Sequence, residues 1–221
     1  MIYSFGRQSF SAIFQTVKEV LDFSNTILYD IFISYPITSL TYEKLSERIT
    51  GQMKRILDVG VGTGVPLHKV INQFPQDCEI TAIDIDLTYL NKAIQLFKDK
   101  PQVKILELDF YKMNPDIHGK FDAIVFSSSF SLLHQQQEAL KIAKSLLNPD
   151  GIIYFMLTLS DSHFSESLKY ITSIDLHLES ESVFEELLKQ SSLKIIHKQR
   201  LQKVANIPTL LLKVYIYETK L

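Results

Sequence analysis

From residue 54 onward, short apolar runs alternate with stretches in which apolar residues recur every three or four positions. The runs are strand-length and almost uninterrupted, as in Ile152-Ile153-Tyr154-Phe155-Met156-Leu157. That is the pattern of strands covered on both faces. The periodic stretches read as amphipathic helices. Strands are predicted at 55–59, 79–85, 103–110, 121–127 and 152–159, with helices at 65–74, 87–98 and 135–147. Pro66 falls in the first turn of its helix, where a missing N–H costs nothing. Asn148-Pro149-Asp150-Gly151 reads as a turn. Strand–helix alternation implies right-handed crossovers and a parallel sheet.

After residue 160 the alternation loosens. A helix is predicted at 181–190, then strands at 193–201 and 210–218, joined by a short loop containing Pro208. Two strands with no helix between them pair antiparallel. The expected architecture is α/β: a three-layer sandwich on a mostly parallel seven-stranded sheet, with an antiparallel C-terminal hairpin. Residues 1–50 read as a helical extension or lid, and 51–221 as the main domain. Within the extension, Phe10, Ile13, Phe14, Val17 and Leu21 share one helical face. Pro36 reads as a break, with Tyr29, Phe32 and Tyr35 near it. A short helix at 41–49 is closed by Gly51.

Composition narrows the class. With 221 residues and 46% hydrophobic positions, the chain can build its core without metals or disulfides. The net charge of -2 gives no global field favouring nucleic acid. The lone Cys78 forms no internal disulfide and supports no metal cluster, so no metal is expected. It reads as a small core residue or a quiet surface thiol. No apolar run approaches the roughly 20 residues of a membrane span. The N-terminus lacks the pattern of a secretory signal, and a cytoplasmic location is expected. The alternative is the mitochondrial matrix, because Arg7, Lys18 and several serines precede the first acid, Glu19.

The chemistry concentrates after the first strand, at Asp58-Val59-Gly60-Val61-Gly62-Thr63-Gly64. Glycines at alternate positions let the backbone turn tightly and approach a ligand closely. In open α/β sheets, ligands bind beyond the carboxyl ends of the strands. Asp84, twenty residues past Gly64, ends the second strand and is placed to accept from ribose hydroxyls. Asp86 is better placed to cap the next helix. Asp109 ends the third strand, suited to an exocyclic adenine amine, while Ile85 and Phe110 are placed to touch the adenine ring. Asp58 lies inside an apolar strand. A buried carboxylate is costly unless paired, so it is expected to meet a cation or several N–H donors. It also argues against a dinucleotide, whose pyrophosphate an acid repels. G-x-G-x-x-G would further need glycine where Val65 stands.

These features resemble the class I, Rossmann-like S-adenosylmethionine-dependent methyltransferases over roughly residues 52–220. The shared features are the glycine loop, the acids after strands two and three, the turn before strand five and the terminal hairpin. The resemblance implies S-adenosyl-L-methionine as cofactor. Gly60, Gly62 and Gly64 would line its methionine part and Asp58 would help neutralise its amino group. Asp84 would hold the ribose, Ile85 would touch the adenine and Asp109 would bind its amine. Ser127, at the end of strand four, joins this cofactor set.

Acceptor chemistry is less legible. Strand four runs into Ser127-Ser128-Ser129-Phe130-Ser131-Leu132-Leu133-His134. Family members that methylate planar amines often carry Asn/Asp-Pro-Pro-Tyr there. The serine-and-histidine stretch instead looks like methyltransferases of small molecules or lipids, so the expected partner is a small-molecule acceptor. His134 is the candidate base, with a helix start as its structural reading. Tyr29, Tyr35 and Tyr111 are candidates to wall the acceptor pocket. The segment 193–221 holds six Lys or Arg against Glu218 alone, so its basic hairpin is a candidate protein-partner surface. The competing readings are a methyltransferase-like subunit with a binding or structural role, and an NAD(P)-dependent oxidoreductase.

Overall fold

The computed structural model describes residues 35–159, 179–201, 203–204, 207–208 and 213–221. The chain enters through helix α1 (Tyr35–Ser46) and then alternates strand and helix. The order is β1 (Arg55–Val59), α2 (Val65–Val70), β2 (Glu79–Asp84), α3 (Leu87–Phe97), β3 (Val103–Glu107), α4 (Pro115–His118), β4 (Phe121–Ser127), α5 (Gln136–Leu146) and β5 (Leu147–Leu159). Helix α6 (Glu181–Gln190) and strands β6 (Lys194–Leu201), β7 (Lys203–Val204), β8 (Ile207–Pro208) and β9 (Lys213–Lys220) complete the described chain.

Among the described residues the main sheet has seven strands in the order β3-β2-β1-β4-β5-β9-β6. The first five are mutually parallel. β9 runs antiparallel between β5 and β6, which gives the expected C-terminal hairpin. Strands β7 and β8 form a small antiparallel pair inside the connection that the sequence presents as a loop. The order reverses between β1 and β4: the chain builds outward through β2 and β3, then returns to the other side of β1. A crevice opens at such a switch point beyond the strand ends.

The period of two along each strand divides the core into two layers. Ile56, Ile80, Ala82, Val125, Met156 and Ile216 face the layer that holds Tyr42 and Leu45 of α1, Leu67 and Val70 of α2, and Leu90 and Phe97 of α3. Leu57, Ile83, Phe126, Phe155 and Tyr217 face the layer with α5 and α6. There Phe126, Phe130, Phe155, Phe184 and Tyr217 pack edge to face, with Phe126 stacked on Phe155 at 5.4 Å. Each such buried ring contributes about 1.5–3 kcal/mol relative to exposure. Cys78 is buried in the first layer, and burial pushes its thiol up to about 11.

Local chemistry moved several boundaries. Pro36 does not break the chain but lies in the first turn of α1, which therefore starts six residues before the predicted helix. Residues of the expected extension, including Ile37, Tyr42, Leu45 and Ile49, join the first core layer. Strand β3 stops at Glu107 because the Asp109 side chain accepts from Tyr111 N–H and turns the chain into a 3₁₀ helix, Phe110–Lys112. The Asn148–Gly151 turn is absorbed into β5 as an irregularity: Phe121 pairs with Leu147 and Ala123 with Ile152. Asp122 pins it there, accepting from Asn148 Nδ2 at 2.6 Å and, through its other oxygen, from Lys54 and Arg55 N–H. Asp86 caps α3 as expected, accepting from Thr88 N–H at 2.7 Å.

Candidate functional site

The crevice floor is the turn between β1 and α2. Gly60, Gly62 and Gly64 all adopt positive φ, at 76°, 57° and 70°. Most L-residues are strained there. Gly60 and Val61 donate to the Ile83 carbonyl at 2.8 and 3.1 Å, and Gly64 to the Val61 carbonyl at 3.1 Å. The three glycines differ in what surrounds them. A Cβ on Gly60 would meet Ser129 Cβ at 2.6 Å, and one on Gly64 would meet Phe97 Cε2 at 2.7 Å. A Cβ on Gly62 would meet nothing within 4 Å. Gly60 and Gly64 are therefore required by packing, while Gly62 borders open space.

Asp84 locks this turn. Its Oδ2 accepts from Gly62 N–H at 2.8 Å and its Oδ1 from Asp86 N–H at 3.0 Å. It remains half-buried, with lone pairs left on both oxygens. Ile85 follows it and is 71% exposed, an apolar side chain held out at the strand end.

Asp58 lies on the same sheet face as Ile56, toward α1. The tyrosine of α1 donates to it: Tyr42 OH to Asp58 Oδ2 at 2.7 Å, with both residues buried. Asp58 Oδ1 is also buried and has no hydrogen-bond partner among the described residues. Burial pushes the carboxyl up from 3.8 to about 7; the Tyr42 bond pulls the other way and the nearby Asp84 charge adds to the rise. The Tyr42 phenol is raised well above its ordinary value, by burial first and then by the Asp58 charge. The expected cation or set of N–H donors for Asp58 is thus replaced by one phenol. Ser127 is buried on the same face, its hydroxyl 3.4 Å from Thr41 Oγ1 of α1. Ser129 donates to the Val59 carbonyl, and Ser128, between them, takes a φ of 60°.

The other predicted residues fall in three places. Asp109 caps the 3₁₀ helix through Tyr111 N–H at 3.0 Å. Phe110 is buried in the second core layer, edge-on to Phe126 at 5.4 Å, so its ring is not offered to the crevice as expected. Strand β3 ends before it, and the 3₁₀ turn rotates the side chain inward. Tyr111 and His134 come together, with ring centroids 4.7 Å apart. Tyr111 Oη accepts from Gln135 N–H at 3.0 Å, beside the start of α5, and His134 is exposed. Tyr29 lies outside the described residues, as does the side chain of Tyr35, which opens α1.

The basic hairpin is partly compensated within the fold. Lys198 pairs with Glu181 and Glu185 of α6 and lies over the rings of Tyr215 and Tyr217. Those tyrosines donate to the same two glutamates, and Glu218 pairs with Arg48 at 2.8 Å. Among the described residues no helix is long and apolar enough to cross a membrane.

Residues 57–153, from β1 into β5, match the family model described as a methyltransferase domain. That stretch is similar to a methyltransferase domain, and the seven-stranded sheet with its terminal hairpin is the Rossmann-like α/β fold expected. Malonyl-[acyl-carrier protein] O-methyltransferase 1 of Ilyobacter polytropus is 27% identical over 147 residues, 66% of this chain and 53% of that protein. A tRNA1(Val) (adenine(37)-N6)-methyltransferase of Histophilus somni is 27% identical over 126 residues, covering 48% of this chain and 53% of its own. The chain thus spans about half the length of these curated relatives. Among solved structures, the 1,6-didemethyltoxoflavin-N1-methyltransferase of Burkholderia thailandensis aligns with a TM-score of 0.63 at 15% identity. That alignment covers 96% of this chain and 88% of the other, and shares the fold.

The matched stretch starts after α1, and Tyr42, the partner of Asp58, is the residue that sequence reasoning missed. A faint signal was present. Tyr42, Leu45 and Ile49 fall at helical spacing on one apolar stripe, and a buried tyrosine needs a partner for its hydroxyl. Asp58 needed a donor. Nothing local in the chain connects the two.

Proposed function

We propose that this chain binds S-adenosyl-L-methionine at the glycine turn and transfers its methyl group to a small-molecule or lipid-like acceptor. The observation that carries the reading is the buried Asp58, one of whose oxygens has no partner among the described residues, next to a turn of three positive-φ glycines. The fit is electrostatic: the cofactor brings an ammonium and a sulfonium, and an ionised carboxylate in a low-dielectric setting attracts cations without touching them. Gly62, open above its Cα, lets the methionine part approach the backbone. Asp84 has acceptor capacity left for ribose hydroxyls, Ile85 offers an apolar surface to the adenine, and Asp109 stands at the next strand end.

When bound, the cofactor supplies a methyl group already activated by the sulfonium. The task left to the protein is to hold a nucleophile in line, which by itself supplies several kcal/mol. Tyr111 and His134 form one wall at the β3 and β4 ends. His134, exposed and held against the Tyr111 ring, is the group placed to take a proton from an acceptor hydroxyl or carboxyl. The serine stretch after β4, in place of Asn/Asp-Pro-Pro-Tyr, supports an oxygen acceptor over a planar amine, and the Ilyobacter relative is named for transfer to oxygen.

Calorimetry with S-adenosylhomocysteine tests the cofactor half: micromolar binding is expected, and no heat at high micromolar ligand would overturn it. Methyl-labelled cofactor offered to hydroxy and carboxy compounds, against adenine-containing RNA, tests the acceptor half. Labelling of the RNA alone would reverse that assignment.

A further inference from the structure

The pair beneath the turn has a consequence for how the cofactor is taken up. We infer that Tyr42 is a positioning residue for cofactor binding: it holds Asp58 so that the carboxyl gives up its proton when the cationic end of the cofactor arrives. This rests on the cofactor reading above and goes beyond it.

The geometry is specific. Asp58 Oδ2 is held by the Tyr42 hydroxyl at 2.7 Å, and Oδ1 is buried with no hydrogen-bond partner among the described residues. An ionised carboxylate in that position is costly without a second stabilising group. Among the described residues the polar groups around the pair are few. Asp84 of β2 contributes a negative charge that disfavours ionisation, and Ser127 of β4 stands beside the Tyr42 hydroxyl. Near neutral pH the free protein therefore holds a mixture of protonated and ionised Asp58. An ammonium arriving at the turn supplies the missing positive charge and selects the ionised form. The balance is simple: the Asp58 O–H breaks, the proton leaves to solvent, and the ligand's ammonium keeps all of its own protons. Tyr42 donates to the carboxylate more strongly than to the acid, so it lowers the pH at which this exchange occurs.

The test is calorimetric binding of S-adenosylhomocysteine from pH 6 to 9, in buffers of different ionisation enthalpy. In the wild type, binding at pH 6 releases close to a whole proton and binding at pH 9 releases none from Asp58. The affinity climbs by about tenfold per pH unit below neutrality, as expected for one linked proton. Tyr42→Phe removes only the hydroxyl. The proton-release midpoint is expected to rise by about one pH unit, because bonds to charged groups are worth roughly that much. Affinity then falls about tenfold near pH 6 and about threefold near pH 7.5, and recovers toward pH 9. A structural role alone would weaken binding equally at every pH.

Should Tyr42→Phe fail to fold, ¹³C-aspartate spectra of the wild type, assigned with Asp58→Asn, take its place. A carboxyl titrating near neutrality must move below pH 5 on adding the ligand. Clear binding with no proton release, or an unmoved midpoint in Tyr42→Phe, overturns the inference and leaves the cofactor assignment intact. Absence of any binding overturns both.

Discussion

Replacing Asp58 by Asn should make the free protein more stable at neutral pH while damaging its binding site. The carboxyl, raised from 3.8 to about 7, keeps its proton in the folded state where the unfolded chain has lost it. Between those values the folded state binds more protons, so stability falls as pH rises through the window and is flat above it. At about 1.4 kcal/mol per pH unit, the full cost above pH 7 is ~4 kcal/mol. Asn keeps the shape and an oxygen for the Tyr42 hydroxyl, but it gives up a charge-assisted bond and buries an amide. The net gain expected at pH 8 is therefore about 1–3 kcal/mol. Urea unfolding of both proteins at pH 4, 5.5, 7 and 8 isolates the effect, since every other carboxyl is common to the two. The variant should be the less stable of the two by about 1–3 kcal/mol at pH 4, gain on the wild type up to pH 7 and then level off. An advantage that is constant with pH, or one that shrinks as pH rises, refutes the argument. Calorimetry on the same samples should show S-adenosylhomocysteine affinity reduced at least tenfold at pH 8, the scale for losing an ionic partner.

Other substitutions separate packing from binding. Gly64→Ala forces a Cβ to 2.7 Å from the Phe97 ring at a φ of 70°, and should cost about 2–4 kcal/mol in thermal unfolding. Gly62→Ala meets no atom within 4 Å and should cost only about 1 kcal/mol of stability, yet lower cofactor affinity more than tenfold, read by calorimetry. Equal effects of the two would remove the distinction drawn between them. Asp84→Ala deletes the acceptor for Gly62 N–H and should weaken cofactor binding by about 1–3 kcal/mol; unchanged affinity takes Asp84 out of the site. His134→Ala, at an exposed position, should leave the melting temperature unchanged and lower kcat about 100-fold once an acceptor is in hand; an unaltered kcat removes it as the base.

The alternation of apolar runs and amphipathic stretches was enough to place five parallel strands, their helices and the terminal hairpin. Each of these is a local period summed over a window, and burial on two faces leaves a composition that cannot be mistaken. Strand ends were less legible, because single side chains decide them. Asp109 capping the 3₁₀ helix turned Phe110 into the core, and Asp122 drew the Asn148–Gly151 turn into β5. The glycine turn, Asp84 and Ile85 were visible because they lie together in sequence or at the end of a recognisable strand.

The sequence by itself determined the strands and their directions, the glycine turn beyond the carboxyl end of the first strand and the oddity of an aspartate within an apolar strand. Only the tertiary structure decided what that aspartate meets. Tyr42 and Asp58 are joined because α1 packs across the ends of β1 and β4 with its tyrosine facing inward, and no local periodicity encodes such a contact. Tyr111 and His134 meet for the same reason, brought together by the turns that follow β3 and β4. Periodicity fixes which face a side chain takes, but the neighbour on that face is chosen by how distant elements stack, and that is where the charge of Asp58 is set.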